Sequence, residues 1–303
     1  MKQVMELSHV TKDYGNGKGV FDINLSVEQG EIFGYLGPNG AGKSTTIRQL
    51  MGFLHPDSGT CRILGMDCFA QAKAIEQQLG YLAGELAFME DMTGETYLEF
   101  MAQMKHLKDR RRMHELMELF ELDARGKVKK MSKGMKQKIG LICAFMAEPS
   151  VVILDEPTSG LDPLMQNRFV ELLLEEKKKG TTILMSSHIF EEVEKTCDRT
   201  AIIRGGRIVT VEDMTSLSKK RAKVYTVTCK NDDSACKFAK ILAGKNERGC
   251  VVQRVQKNQV ELLVKGAPTA ILQEIVLIEP LDLTIKTQSL EELFMHYYGE
   301  DMR

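Results

Sequence analysis

The fold of this chain is restricted first of all by a glycine-rich loop, Gly37-Pro38-Asn39-Gly40-Ala41-Gly42-Lys43-Ser44. The short, mostly apolar segment from Glu31 to Leu36 leads directly into the loop, and a helical pattern from Thr45 to Phe53 follows it. Glycines at this spacing let successive backbone N–H groups turn inward around phosphate oxygens, and the following helix adds its positive N-terminal end. We therefore predict a strand, a loop and a helix that together bind a phosphate group.

The side chains at the end of this loop suit a nucleoside triphosphate. Lys43 is long enough to reach the β- and γ-phosphates, and the Ser44 hydroxyl is a suitable ligand for Mg²⁺. A turn with a purely structural role is the alternative, but the strand before the loop and the helix after it favour phosphate binding. The residues predicted to contact the nucleotide here are Gly37, Pro38, Asn39, Gly40, Ala41, Gly42, Lys43, Ser44 and Thr45.

Two further apolar runs predict buried strands of a parallel sheet. Val151 to Leu154 is followed by Asp155-Glu156, and Thr181 to Met185 is followed by Ser186-Ser187-His188. A helical pattern from Leu164 to Lys179 lies between the two runs. This order indicates a right-handed βαβ crossover.

The acidic pair after the first run is predicted to lie beside the phosphates, because open α/β sheets bind ligands at the carboxyl ends of their strands. Asp155 can hold Mg²⁺ through a water molecule, and Glu156 can orient or deprotonate the attacking water. An acidic pair at the end of a strand is weak evidence by itself, since strand ends without a catalytic role carry such residues too. Behind a phosphate-binding loop it predicts hydrolysis of a nucleoside triphosphate.

Other patterns divide the rest of the chain. The first 30 residues predict a hairpin, and residues 93–142 are helical in pattern, with Met113, Leu116, Met117 and Phe120 on one face. The methionines of this region predict a small helical core, with a docking surface for another protein's helix as the alternative. The chain changes character near Thr215. After it, the order strand, helix, strand, strand, helix, strand resembles a ferredoxin-like domain.

Composition limits the function classes. The chain has 303 residues, 43% of them hydrophobic and 27% charged, which is ordinary for a globular protein. A formal net charge of −1 gives no reason to expect nucleic acid as a partner, although seven cations lie within residues 125–138. Seven cysteines without a CxxC pair predict reduced thiols in the cytoplasm. No apolar run approaches the roughly 20 residues that cross a bilayer.

Several motifs also occur in the order of one family. Tyr14 precedes the glycine-rich loop, Met131-Ser132-Lys133-Gly134-Met135 precedes Asp155, Ser159-Gly160-Leu161-Asp162 follows it, and His188 comes last. Over residues 4–212 the chain resembles the nucleotide-binding subunit of an ATP-binding cassette transporter. The variant Ser-Lys-Gly-Met-Lys-Gln and the segment from Leu290 to Phe294 resemble the branch that exports drugs and antibiotics.

The resemblance implies a set of roles and partners. Tyr14 would stack on adenine, Ser132 and Gly134 would contact a γ-phosphate, Asp162 would belong to the D-loop, and His188 would be the switch histidine beside the catalytic Lys43 and Glu156. ATP and Mg²⁺ are the implied cofactors. Transmembrane permease subunits, and a second copy or a second cassette subunit, are the implied partners. The chain would then be cytoplasmic and peripheral on the inner face of the cell membrane.

The same resemblance implies the architecture. It is an α/β fold with a P-loop NTPase core, an antiparallel β subdomain and a helical subdomain at about residues 85–142, all within a cassette domain of residues 1–215. Residues 216–303 would form a small C-terminal α+β domain with an accessory or regulatory role.

Two motifs depart from the family pattern. The signature segment has Lys133 and Met135 where the family has Gly and Gln, so Lys133 either strengthens a phosphate contact or faces solvent. Gly84 stands where the family places a glutamine that contacts Mg²⁺, so either Glu85 replaces it as the metal ligand or the contact is absent.

Three function classes follow. The leading one is ATP hydrolysis that energises export through separate transmembrane subunits. The second is a cassette ATPase acting on nucleic acid or ribosomes, but such members carry two cassettes or a long coiled-coil insertion, and this chain has one glycine-rich loop and neither. The third is a ligand-sensing module formed by the C-terminal residues, where only a generic pattern is visible.

Overall fold

The computed structural model describes residues 2–89, 91–220, 223–245, 250–264, 269–287 and 289. The chain forms two compact units, Met1–Met214 and Thr215–Arg303. The segment from Leu290 to Phe294, which resembles an exporter motif, lies outside the described residues.

The elements of the first unit alternate between strands and helices, as the sequence predicts. In chain order they are β1 (Gln3–Asp13), β2 (Gly19–Glu28), β3 (Ile32–Leu36), α1 (Lys43–Leu50), β4 (Ser58–Ile63), β5 (Met66–Asp67), α2 (Ala72–Glu76), β6 (Leu79–Leu82), α3 (Gly94–Met104), α4 (Arg111–Leu119), α5 (Lys133–Phe145), β7 (Val151–Asp155), α6 (Pro163–Lys178), β8 (Thr182–Ser187), α7 (Phe190–Thr196), β9 (Arg199–Arg204) and β10 (Arg207–Asp213).

A six-stranded sheet forms the centre of this unit, with the strand order β10-β9-β3-β8-β7-β6. β3, β6, β7, β8 and β9 run parallel to their neighbours, and β10 returns antiparallel to β9. Every residue of β3, β7 and β8 is buried, which explains their unbroken apolar runs. The predicted βαβ crossover is confirmed, because α6 connects the parallel neighbours β7 and β8.

A second, antiparallel sheet has the order β2-β1-β4-β5. Its hairpin β1–β2 is the one predicted from the alternation of apolar and polar residues, and Val20, Ile23, Leu25 and Val27 are buried in the shared core. β4 and β5 were not predicted from sequence. Most side chains of β4 are exposed, and only Cys61 and Ile63 face the core, so the apolar signal is weak there.

Three helices, α3 to α5, form the helical part of the unit, as the periodicity predicts. Met113, Leu116 and Phe120 are buried and Met117 is half-buried, so this face of α4 belongs to a core. α5 continues to Phe145, three residues beyond the predicted end of the helical region.

The second unit contains α8 (Met214–Lys220), β11 (Lys223–Thr228), α9 (Asp232–Lys245), β12 (Cys250–Gln256), β13 (Gln259–Val264), α10 (Thr269–Leu277) and β14 (Asp282–Thr287). Its four strands pair antiparallel in the order β12-β13-β11-β14, which is the ferredoxin-like order. Phe238 of α9 and Ile271 and Ile275 of α10 pack in one core with alternate residues of the central strands, such as Tyr225 and Leu262.

Candidate functional site

A cavity of about 760 Å³ lies beside the glycine-rich loop, at the carboxyl edge of the six-stranded sheet. Its lining includes most of the residues that the sequence analysis proposed for nucleotide and metal binding. These are Tyr14, Asn39, Gly40, Gly42, Lys43, Ser44, Thr45, Glu85, Asp155 and Glu156.

The glycine-rich loop is shaped by its tight surroundings. Gly42 has a φ of +111°, and a Cβ atom there would lie 2.6 Å from Cγ1 of Val20, so no other residue fits without a shift. α1 begins at the next residue, Lys43, and its first backbone N–H groups have no partner within the helix. The loop therefore presents unpaired donors and the positive end of a helix to the cavity, the arrangement that binds phosphate.

Three predicted loop residues support the cradle without lining the cavity. Gly37 and Pro38 offer their carbonyl oxygens to the Lys43 ammonium at 2.7 and 3.3 Å, and Ala41 donates its backbone N–H to Pro38 at 3.1 Å. These contacts hold the lysine, which is only 6% exposed, folded back over its own loop.

The side chains of Lys43, Glu156 and His188 form a connected row. Nζ of Lys43 lies 3.1 Å from Oε1 of Glu156, and Nδ1 of His188 lies 2.5 Å from Oε2 of the same carboxylate. Glu156 has a φ of +53°, a conformation that is uncommon for a residue with a side chain. Its backbone N–H is held by the Ser186 hydroxyl at 3.1 Å, so the neighbouring strand β8 fixes this strained position.

Asp155 is buried at the end of β7 and accepts a hydrogen bond from the Ser186 hydroxyl at 2.5 Å. A Cβ atom on Gly84 would lie 3.1 Å from its Oδ2, so the main chain at residue 84 passes directly against the carboxylate. Burial, with the charge of Asp155 as a smaller contribution, raises the pKa of Tyr81 to about 12. Tyr81 is therefore a neutral phenol beside this carboxylate at neutral pH.

The cavity is also lined by aromatic side chains. Tyr14 is 54% exposed and lines the cavity together with the glycine turns at Gly17–Gly19 and Gly205–Gly206. Phe53 also lines it, and its ring meets that of Tyr81 edge to face at 5.9 Å. Flat rings next to a phosphate cradle are suited to a nucleobase.

Ser132, Gly134 and Asp162 do not line this cavity. Ser132 is the N-cap of α5, with its hydroxyl accepting the Met135 N–H at 3.2 Å, and Asp162 caps α6 in the same way at 3.0 Å. Gly134 lies against the Gly160 carbonyl, where a Cβ atom would come within 2.6 Å.

Lys133 does not simply face solvent. Its ammonium donates to the Ser159 hydroxyl at 2.8 Å, and its stem passes over Gly160. The signature segment and the D-loop are thereby joined within one chain.

Several residues at the site escaped the sequence analysis, Phe53 among them. Arg48 lines the cavity four residues after Ser44, a helical spacing that could have revealed it. Tyr81 lies on β6, which ends at Leu82, two residues before Gly84. Ser186 gave no signal. Gln137 ends the segment Ser-Lys-Gly-Met-Lys-Gln, but its role was not predicted: its amide donates to the carbonyls of Glu156 and Pro157 at 3.3 and 2.8 Å.

Comparison with known proteins shows the family to which this chain belongs. The ABC transporter family profile matches residues 20–159. Similar proteins include the bacitracin transport ATP-binding protein BcrA of Bacillus licheniformis, 36% identical over 228 residues that cover 74% of each chain. The linearmycin resistance ATP-binding protein LnrL of Bacillus subtilis is 31% identical over 317 residues, which cover 99% of this chain and 100% of that protein. The chain belongs to the ATP-binding subunits of ABC transporters.

A solved structure of the ATP-binding subunit of an ABC transporter agrees with this subunit at a TM-score of 0.66. It is 32% identical and covers 71% of this chain and 92% of its own. The predicted family and the P-loop fold are confirmed, and the subunit is an ATPase of the ABC transporter type. Among the described residues, no helix is both long and apolar enough to span a bilayer.

Proposed function

We propose that the subunit hydrolyses MgATP in the 760 Å³ cavity and uses the energy to export a substrate through separate transmembrane permease subunits. The observation that carries the catalytic half is the row formed by Lys43, Glu156 and His188 beside the phosphate loop. Phosphoryl transfer to water uses a cation that neutralises charge on the transferred group and a residue that activates the water, and here the imidazole holds the carboxylate that would do so.

The geometry supports a division of roles among these three residues. When ATP occupies the loop, its phosphates offer Lys43 a stronger acceptor than Glu156, and the lysine then neutralises charge on the transferred group. Glu156, freed on one side, can accept a proton from the attacking water. His188 holds the other carboxylate oxygen, so the carboxylate stays aimed at the water.

The residues present fit Mg²⁺. Ser44 supplies a hydroxyl and Asp155 a carboxylate, both hard oxygen ligands, and Glu85 lines the same cavity. Within the described residues no group of three or more His, Cys, Asp or Glu side chains could hold a metal alone. This suits Mg²⁺, which proteins usually bind through one or two side chains plus nucleotide phosphates. When bound, the ion would neutralise charge on the phosphates.

Export is supported by the relatives. BcrA is a bacitracin transport protein and LnrL a linearmycin resistance protein, and the second matches almost the whole of this chain. We therefore assign the pathway to separate permease subunits and propose that this subunit lies on the inner face of the cell membrane. The ferredoxin-like unit is proposed to be an accessory, regulatory domain.

Pairing of two cassettes is supported by the position of the signature segment. Ser132 and Gly134 lie outside the cavity of their own chain, so a role at a γ-phosphate requires the cavity of another cassette. We propose that the partner is a second copy of this chain or a second cassette subunit. No nucleic acid is proposed as a partner, because the formal net charge is −1.

Purification from detergent-solubilised membranes tests the export half. A tagged subunit should co-purify with a polytopic membrane protein, and the complex should hydrolyse ATP. A complex with Lys43→Ala should assemble equally well and lose hydrolysis by about 10²-fold or more, since the lysine acts on charge in the transition state. Co-purification with ribosomal or DNA-repair proteins, and none with membrane proteins, would instead support the second function class.

A further inference from the structure

Glu192 of α7 has both carboxylate oxygens occupied by hydroxyl groups from two other segments. The Thr158 hydroxyl donates to Oε1 in a short hydrogen bond, and the Ser187 hydroxyl donates to Oε2 at 2.9 Å. Thr158 and Ser187 are buried, at 5% and 1% exposure, and Glu192 is half-buried. These bonds are therefore shielded from competing water, which makes them stronger than surface contacts.

The two hydroxyls come from the segments that carry the proposed catalytic pair. Thr158 follows Glu156 by two residues, and Ser187 directly precedes His188. Glu156 and His188 are themselves joined at 2.5 Å. The contacts thus close a ring that runs from Glu156 through Thr158 to Glu192, then through Ser187 to His188 and back to Glu156.

The ring adds a side-chain link between the two segments that follow the paired strands β7 and β8. Glu156 sits in a strained backbone conformation with a φ of +53°, and His188 is 51% exposed, so neither side chain is fixed by packing alone. The Ser187 hydroxyl also accepts the Ile189 N–H at 2.9 Å, which shapes the turn that carries His188.

We propose that Glu192 is a positioning residue for hydrolysis, which ties the segment of Glu156 to the segment of His188 and so keeps the two side chains in register. It does not touch the nucleotide cavity, and it acts only through the two hydroxyls. This inference rests on the proposed catalytic roles of Glu156 and His188.

Glu192→Leu keeps the volume of the side chain and removes both acceptors. We expect kcat to fall about tenfold to a hundredfold, because small misplacements of catalytic groups have effects of this size. The KM for ATP should change by less than about twofold, since the phosphate loop is untouched. Glu192→Gln should restore most of kcat, because its amide oxygen accepts one hydroxyl and its NH₂ donates to the oxygen of the other.

The matched control is Glu191→Leu on the same helix. Glu191 is exposed and its carboxylate pairs with Lys195 at 2.8 Å, so its loss should leave kcat within about twofold of the parent. Thr158→Val provides a milder, near-isosteric cut of the ring, and it should lower kcat without raising KM. Circular dichroism confirms that each purified variant is folded.

The Glu192→Leu substitution in a His188→Ala variant distinguishes an effect through His188 from a general loss of activity. If Glu192 acts through His188, then Glu192→Leu should lower kcat by less than about twofold once His188 is absent, because coupled residues are not additive. Multiplicative losses in this background would overturn the inference. So would a parental kcat in folded Glu192→Leu, or a loss that appears in KM alone.

The failure of the proposed site has a different signature. Parental turnover in Glu156→Gln would overturn the assigned general base, and this inference with it. Slow turnover in Glu156→Gln together with parental turnover in Glu192→Leu would overturn this inference and leave the proposed function in place.

Discussion

Nζ of Lys43 and Oε1 of Glu156 lie 3.1 Å apart, so the lysine proposed to bind the phosphates is paired with the carboxylate proposed as general base. Lys43 is 6% exposed and Glu156 21%, which limits screening of the pair by water. An incoming triphosphate must separate the two charges, and the carboxylate also repels the phosphates. The stronger the attraction between Lys43 and Glu156, the more this ion pair weakens ATP binding.

Neutralising this carboxylate should tighten ATP binding. In Glu156→Gln the lysine loses its competing anion, and we expect the dissociation constant for ATP to fall about fivefold or more, given the Coulomb energy of partly buried charges. Titration with a fluorescent ATP analogue measures this. Glu85→Gln, which removes an exposed charge from the same cavity, should change the constant less. Unchanged or weaker binding in Glu156→Gln would show that the pair does not compete with ATP.

Glu85 offers a test of the departure from the family pattern. Gly84 occupies the position at which the family has its metal-contacting glutamine, and Glu85, the next residue, lines the cavity. Glu85→Ala should lower ATP turnover more than Glu85→Gln, because glutamine still offers an oxygen ligand. Steady-state rates at several Mg²⁺ concentrations distinguish the variants. Parental rates for both would remove Glu85 from the site.

Restoring the family residue should do harm in this chain. A Cβ atom on Gly84 would lie 3.1 Å from the Asp155 carboxylate, closer than most Cβ contacts, so the carboxylate has to shift. We expect Gly84→Gln to reduce turnover, and Gly84→Ala to reduce it too, because the crowding begins at Cβ. A variant with Gln that is faster than the parent, beside a slow Ala variant, would mean that the amide outweighs the crowding.

Much of the core was predictable because its signals are local. The apolar runs of β7 and β8 mark strands buried on both faces, and the glycine-rich loop carries its chemistry within eight residues, from Gly37 to Ser44. β4 could not be predicted, since only Cys61 and Ile63 of its six residues face the core.

The supporting contacts of the site were hidden for a different reason. Gln137, Ser186 and Glu192 are ordinary polar residues in the sequence, and each becomes informative only through a partner 19 to 34 residues away. The position of Lys133 over Gly160 was equally hidden, since it requires α5 and the D-loop to meet in space. Such contacts are set by the tertiary fold, so periodicity and spacing do not reveal them.

The ferredoxin-like unit should be dispensable for nucleotide binding. Every residue that lines the 760 Å³ cavity lies before residue 207, and the first unit ends at Met214. A fragment of residues 1–214 should therefore bind the fluorescent ATP analogue within about threefold of the full chain, since the cavity's own contacts are unchanged. Turnover is the quantity that a regulatory domain would alter. Loss of binding in a folded fragment would assign the second unit a direct role at the site.

The last prediction concerns pairing of cassettes. Ser132 and Gly134 lie away from the cavity of their own chain, and Lys133 donates a hydrogen bond to Ser159. The signature segment and the D-loop therefore form one continuous surface, which we propose contacts the nucleotide of a second cassette. Glu156→Gln should bind ATP, hydrolyse it about 10²-fold more slowly or worse, and accumulate as a two-fold dimer held by γ-phosphate contacts that hydrolysis would remove. Size-exclusion chromatography with light scattering, with MgATP or MgADP, measures the dimer. Glu156→Gln combined with Ser132→Asp is the matched control: aspartate keeps an N-cap for α5 but places a negative charge on the proposed contact surface, so this variant should stay monomeric while binding ATP. A Glu156→Gln chain that binds ATP yet stays monomeric at high concentration would exclude self-pairing and leave a different cassette subunit as the partner.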